Sequence, residues 1–527
     1  MKKTLAFLSF LTFFVLSMFA EQYRIKDADY SVQGTGFKFL GTTRPYVLRQ
    51  KFPLDKKKVF NSRDELEHYI NNYEESLVSS RDFESVEVDY ETSYSDTNEI
   101  NEVFIKVSLV DSHHLLVVPY PKYSTDSGAS LKLKARDSNF LGTLNTMNTS
   151  LNLKLQPAKD ENGDETYIFV PVLSFDYDYP FTIGNIDATF VNDYSISYVI
   201  SDEDYKRGFE WETKTGLEFS IPFELLPLNI GLYQFTGGDL DYKYYKEDEE
   251  SYIFKDNEDY VYFSEQLSVG TSFKLAEFSN YTTLSYSPSI SIKWHWDPDG
   301  INKKNDGLTS PILTFSHSIS NGKINWNDNM RKGYDVSLSN RISYNFQRLD
   351  LTPYLSLDGK FFWNYEANEQ EYWNRFGIGS RLHAFYYFEV PSNKYRKQDT
   401  ESVDGRLRGV ISKGSGSYPA GLVLNLDLPH NIFSSDFNTQ LFNFNLQFNP
   451  FFDMALVYIK NSKEAFNMYN NGLYCTGFEL LVYPLKWSSF TGRASLGIDL
   501  NKASKTTNFL KALSDCKEIV IEIGLHY

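Results

Sequence analysis

VDGRLRGVISKGSGSYPAGLVLNLDLP (Val403–Pro429), followed after a short connector by FNLQFNPFFDMALVYIK (Phe444–Lys460), decides the reading of this chain. A polar, glycine-studded loop comes first, and two alternating segments follow it. In the first segment Leu422, Leu424, Leu426 and Leu428 point one way, and Val423, Asn425 and Asp427 point the other. In the second, Phe452, Met454, Leu456 and Tyr458 share a face, with Asp453, Ala455 and Val457 opposite. A period of two means strands. An unbroken apolar face backed by a face carrying Asp and Asn is what a strand between lipid and a polar lumen needs.

Similar segments recur on both sides of this stretch. Leu144–Leu155, Tyr167–Phe175, Ala188–Ile200, Gly208–Ile221, Ile230–Tyr242 and Val261–Phe273 alternate, as do Thr282–Trp294, Leu308–Ile319, Tyr334–Tyr344, Leu351–Trp363 and Phe376–Val390. Gly477–Tyr483 and Phe490–Leu500 follow. The chain ends on Ile519, Ile521, Ile523, Leu525 and Tyr527, alternating without a break. Their spacing suits membrane strands of about 9–11 residues with turns between. The count is sixteen to eighteen, depending on merges within 207–320. Longer connectors, Asp239–Asp259 and Asp160–Glu165, are acidic and read as loops.

The 527 residues carry 52 Lys+Arg against 69 Asp+Glu, a net charge of −17. That balance argues against a nucleic-acid partner, which favours a basic surface. Aromatic residues make up 17%, with 38 Tyr and 42 Phe, which fits aromatic girdles at membrane interfaces but also any large β-protein. Residues 1–20 read as a secretory signal: Lys2 and Lys3, an apolar run, then Ala20 before Glu21. Beyond it no run of about 18 apolar residues occurs, so no transmembrane helix is expected. Cys475 and Cys516 are read as free thiols, with pairing in an oxidising envelope as the alternative.

Residues 21–113 read as a small α+β domain. A strand at Tyr30–Thr35 and a short helical stretch over RPYVLRQKF precede a second helix capped by Ser62, with Glu65 completing a capping box. Leu66, Tyr69, Ile70, Tyr73 and Leu77 form its apolar stripe. Two strands follow, with Val86, Val88 and Tyr90 on one face and Val103, Ile105, Val107 and Leu109 on another. Next comes Asp137-Ser138-Asn139-Phe140-Leu141-Gly142-Thr143, where Asn and Gly suit a tight turn of positive φ.

Taken together, these stretches resemble the BamA superfamily of outer-membrane barrels. Leu407-Arg408-Gly409-Val410 stands where that family has V-R-G-F/Y in a long loop, and Phe451-Phe452-Asp453 matches its F-x-D strand motif. Residues 137–143 resemble its D-x-N-(F/L)-(F/L)-G turn, residues 21–113 its POTRA module, and the aromatic-ended last strand its assembly signal. Two departures occur: Leu407 and Val410 replace the outer residues of the loop motif, and Ala455 stands in place of a glycine. Only one POTRA fits, fewer than in a typical bacterial member.

The resemblance implies a mainly β chain: a small α+β POTRA domain (21–113) in the periplasm, then a closed antiparallel transmembrane β-barrel (114–527) of sixteen strands in the bacterial outer membrane. It implies that Arg408 and Gly409 are locked to Asp453 over Phe451, with lumen support from Asp427 and Glu479. A bidentate carboxylate suits a guanidinium in a partly dehydrated lumen. It implies a seam joining the region near Val117–Tyr123 to Ile519–Tyr527, where unfolded outer-membrane protein clients pair and insert without nucleotide. Outer-membrane lipid and accessory lipoproteins are the other implied partners.

No catalytic signature was found. The eight histidines lack metal-ligand spacing, and no Walker loop or G-x-S-x-G elbow occurs. The expectation is a non-enzyme without cofactor or metal. Two alternatives stand beside the insertase: a two-partner-secretion translocator exporting one client, and a passive porin or surface antigen.

Overall fold

The computed structural model describes residues 21–35, 41–95, 100–124, 128–159, 165–201, 207–223, 227–246, 251–254, 260–278, 282–296, 309–327, 329–365, 375–393, 398–409, 417–435, 443–459, 472–505 and 517–523. The expected signal segment, Val410, Cys516, Leu525 and Tyr527 lie outside them. Two compact units emerge: the described chain up to His113 with Leu141–Leu144 and Lys486–Ser489, and the remainder.

The smaller unit is built on a four-stranded sheet ordered Val59–Phe60, Gln22–Gln33, Ile100–Asp111, Phe83–Ser95. Gln22–Gln33 runs parallel to Ile100–Asp111, whose other neighbour is antiparallel. The first strand therefore starts earlier than Tyr30, because Tyr23 and Ile25 alternate into the core ahead of it. Helices Pro45–Lys51 and Arg63–Ser80 supply the remaining core. Leu66, Ile70, Tyr73 and Leu77 are buried, as the helical spacing predicts, against Val103, Ile105 and their neighbours.

The cap differs from expectation in one atom pair. Ser62 Oγ accepts from Glu65 N–H at 3.1 Å, but the Glu65 carboxylate reaches back to Asn61 N–H (2.9 Å), one residue beyond the cap. In the same unit the buried Asp111 carboxylate accepts from Thr43 N–H (2.9 Å) and Thr43 Oγ1 (2.7 Å), which satisfies a loop that would otherwise bury an open amide.

The larger unit is mainly one antiparallel sheet, paired hairpin by hairpin from Leu115–Ser124 to Lys517–Ile523. Some strands are interrupted. Ala420–Asp427 and His430–Ser434 both pair with Phe444–Val457, and the break falls at Pro429, which has no N–H for a ladder. One face of the sheet exposes Leu131, Leu133, Leu151, Ile290 and Phe315; the other carries the polar residues of the alternation. The Phe444–Val457 strand alternates buried and half-buried side chains along its whole length.

Two expectations are corrected. Asp239–Lys246 and Ser251–Phe254 are not loop. They are strand, with Tyr242 opposite Phe254 and Lys246 opposite Ser251. Tyrosine and isoleucine favour the pleated backbone despite the acidic neighbours. In the Asp137–Thr143 turn, Asn139 does not take positive φ. Leu141 (φ 56°) and Gly142 (φ 73°) do, and so does Leu144 (φ 52°) just beyond the turn. Asn139 instead donates its main-chain N–H to Asp137 (3.0 Å), which shapes the turn without a left-handed residue there.

Candidate functional site

The polar face of the larger sheet holds the loop that follows Gly377–Tyr387. Its two limbs pair briefly, Glu401 opposite Tyr418 and Ser402 opposite Ser417. A single 3-10 turn follows at Asp404–Arg406. Val403 and Leu407, on either side of that turn, are buried against Phe385, Tyr387, Val423 and Val457. The apolar residue at 407 thus seats the loop by burial.

Arg408 follows directly. Its Nε lies 3.0 Å and its Nη2 2.6 Å from the two oxygens of Asp453, and its main-chain N–H donates to the same carboxylate at 2.9 Å. Nη1 reaches Asp427 (2.6 Å) and Glu479 (3.1 Å). The Phe451 ring lies 3.9 Å from the guanidinium carbon, offering its π-face to the cation. All four charged side chains are buried, Asp453 completely.

Sheet register explains why three carboxylates converge. Asp427 stands opposite Phe451, Asn425 opposite Asp453, and Glu479 opposite Asn449. Same-face residues two apart on adjacent strands thus meet around one point. Their repulsion is offset by a second cation, since Arg493 Nη1 donates to Glu479 at 3.0 Å. The Asn449 amide donates to both Asp427 (3.2 Å) and Glu479 (2.9 Å). Buried charge is tolerated only when paired and hydrogen-bonded in this way.

Glycines let the backbones touch. Gly409 has φ +90°, and a Cβ there would stand 2.6 Å from the carbonyl carbon of Gly497. A Cβ on Gly497 would stand 2.6 Å from the Gly409 Cα. That close approach brings Gly409 N–H to the Glu518 carboxylate, 3.0 Å away on the last described strand.

All six expected lock residues, Arg408, Gly409, Phe451, Asp453, Asp427 and Glu479, meet here. The turn residues lie elsewhere. Asp137 is buried with its carboxylate 2.5 Å from His114 Nδ1, and Phe140 packs edge-on to Tyr177. Gly142 belongs to the smaller unit, where its carbonyl accepts from Arg44 N–H at 2.9 Å. Ile519 and Ile521 are exposed, and Ile523 closes the described strand. Cys475 is a buried thiol 3.9 Å from Asp453. Arg493, Asn449, Gly497 and Glu518 escaped the sequence reading. Strand parity places Arg493 and Asn449 on the polar face, but nothing in the sequence pairs them with Arg408.

No protein-family model matches this chain, and no curated protein matches it. Among solved structures it is similar to CdiB from Acinetobacter baumannii (12% identity, TM-score 0.47, covering 91% of this chain and 70% of that one). It is similar also to BamA from Haemophilus ducreyi lacking POTRA domains 1–3 (13%, 0.33, 95% and 83%). A third likeness is the siderophore receptor PirA from Pseudomonas aeruginosa (9%, 0.31, 75% and 68%). At such identities and scores the functional reading rests on the geometry of this chain.

Proposed function

We propose that the larger sheet closes into a transmembrane β-barrel of the BamA superfamily type, with its polar face as lumen, and that the protein inserts client β-barrels into the bacterial outer membrane through a seam. The observation that carries this reading is the buried Arg408 cluster and its direct tie, through Gly409, to Glu518 on the last described strand. A loop anchored inside a barrel and fastened to the strand beside its seam can hold that seam shut or let it open. The seam lies between Leu115–Ser124 and Lys517–Ile523. An open strand edge in hydrocarbon must find a partner, and a client strand supplies one. With interrupted segments joined, the described ladders favour the upper end of the sixteen-to-eighteen range rather than sixteen. The smaller unit is assigned as a single periplasmic POTRA, and no catalytic chemistry is assigned.

Depletion of the protein followed by outer-membrane proteomics tests this. Joint loss of many unrelated barrel proteins supports the insertase. Periplasmic accumulation of one secreted protein would instead identify a dedicated translocator, and no change would leave a porin or surface antigen.

A further inference from the structure

A second polar cluster, on the same loop but separate from Arg408, surrounds His383. Its Nδ1 lies 2.7 Å from an Asp358 oxygen and its Nε2 3.0 Å from a Glu401 oxygen. The other Glu401 oxygen accepts from the Tyr354 hydroxyl at 2.9 Å, and Arg406 donates to Glu401 at 3.0 Å. His383 and Asp358 belong to adjacent strands and stand opposite one another, whereas Glu401 and Arg406 belong to the loop.

Ionised carboxylates only accept hydrogen bonds, so both imidazole nitrogens must donate. That requires the imidazolium. Glu401 is ionised across the ordinary pH range. Burial pushes its carboxyl up, but hydrogen bonds from His383 and Tyr354, the His383 charge and the Arg406 guanidinium together hold it at about 2. The neutral ring, in either tautomer, would turn a lone pair toward one of the two carboxylates. The neighbouring groups are Arg406 from the loop and Tyr354 from the adjacent strand; the Tyr354 ring in turn lies 4.9 Å from the Arg341 guanidinium and 4.5 Å from the Tyr387 ring. Opposite His383 on the Ala420–Asp427 strand stands Val423, which is uncharged.

We propose that Asp358, His383 and Glu401 form a proton-dependent clasp that fastens the base of the loop to the wall, independently of the Arg408 lock. The clasp is read from the contacts of the loop with the polar face of the sheet, and only the description of that face as a lumen rests on the proposed function. It is closed while His383 carries its proton, and its contribution is lost as pH rises through the pKa of the clasped imidazolium. His383 and Glu401 are thus positioning residues for the loop.

The test uses a nitroxide label at Ser402→Cys in the full chain with Cys516→Ser, scanned from about pH 6 to pH 10, the range in which a histidine between carboxylates changes charge. The expected result is an immobile label at low pH that becomes mobile in one titration step. In His383→Gln the step is gone and the label is mobile throughout. Asp358→Asn, which leaves both the ring and Glu401, moves the step down by about one pH unit. An absent step in the parent protein, or an unchanged step in His383→Gln and Asp358→Asn, would overturn the clasp. Heat-modifiable migration on gels reports the barrel separately. A pH step without heat-modifiability therefore removes the barrel reading and leaves the clasp standing.

Discussion

The main-chain N–H of Gly409 donates to the carboxylate of Glu518, 109 residues further along the chain. Through this bond the residue beside Arg408 is fixed to the last described strand, Lys517–Ile523. Replacing Glu518 by Leu removes the acceptor and leaves a part-buried amide open. A hydrogen bond to a charged group contributes about 1.5–3 kcal/mol, so thermal unfolding on gels should shift down. Glu518→Gln keeps an acceptor oxygen and should lie closer to the parent; equal loss in both would show that charge, not the bond, matters.

Arg408→Ala leaves Asp427, Asp453 and Glu479 converging without the cation that contacts all three. Removing one partner of a buried ionic cluster costs about 3–5 kcal/mol. Arg408→Lys should not restore stability, because an ammonium cannot make the paired contacts to Asp453 and reach Asp427 as well. Unchanged heat-modifiability and function in Arg408→Ala would sink the lock.

Gly409→Ala and Gly497→Ala test the close approach from opposite sides. The first meets a φ of +90° and a main-chain carbon at 2.6 Å; the second meets only the contact. Both should lower the unfolding temperature, Gly409→Ala more, since left-handed backbone alone costs an L-residue about 1–2 kcal/mol. The reverse order would place the strain elsewhere.

Acid should open the clasp from the other direction. A carboxyl lowered from its ordinary 4.5 to about 2 contributes stability above the ordinary value, and that stability is lost as pH falls through about 2. A label at residue 402 should therefore stay immobile at pH 4 and loosen toward pH 2. Glu401→Gln should be loose already at pH 4.

In the smaller unit Ser62→Ala removes the cap of helix Arg63–Ser80 at a cost of about 1 kcal/mol. Amide exchange should quicken in the first turn, beginning with Glu65, while the sheet strand Ile100–Asp111 keeps its protection. Faster exchange throughout the unit would mean that the helix start nucleates the whole domain.

Sequence alone determined most of the strands and their faces, because a period of two is a local property that each segment carries by itself; it missed Asp239–Lys246 and Ser251–Phe254, where acidic residues mask the pattern. It determined the helix stripe of Leu66, Ile70, Tyr73 and Leu77 for the same reason. The pairing of Arg408 with Asp453 was legible only through the resemblance of Leu407–Val410 and Phe451–Asp453 to the family's two motifs, and strand parity then set Asp427 and Glu479 on the same face. Tertiary structure decided which polar-face residues meet. Register between neighbouring strands set Asn449 beside Glu479, and register depends on pairings that no single segment encodes; the seating of the loop on the sheet set Gly409 against Gly497. The clasp at His383 was invisible for a stronger reason: its residues come from two strands and a loop, and only folding the loop onto the sheet brings Glu401 to the free side of that imidazole.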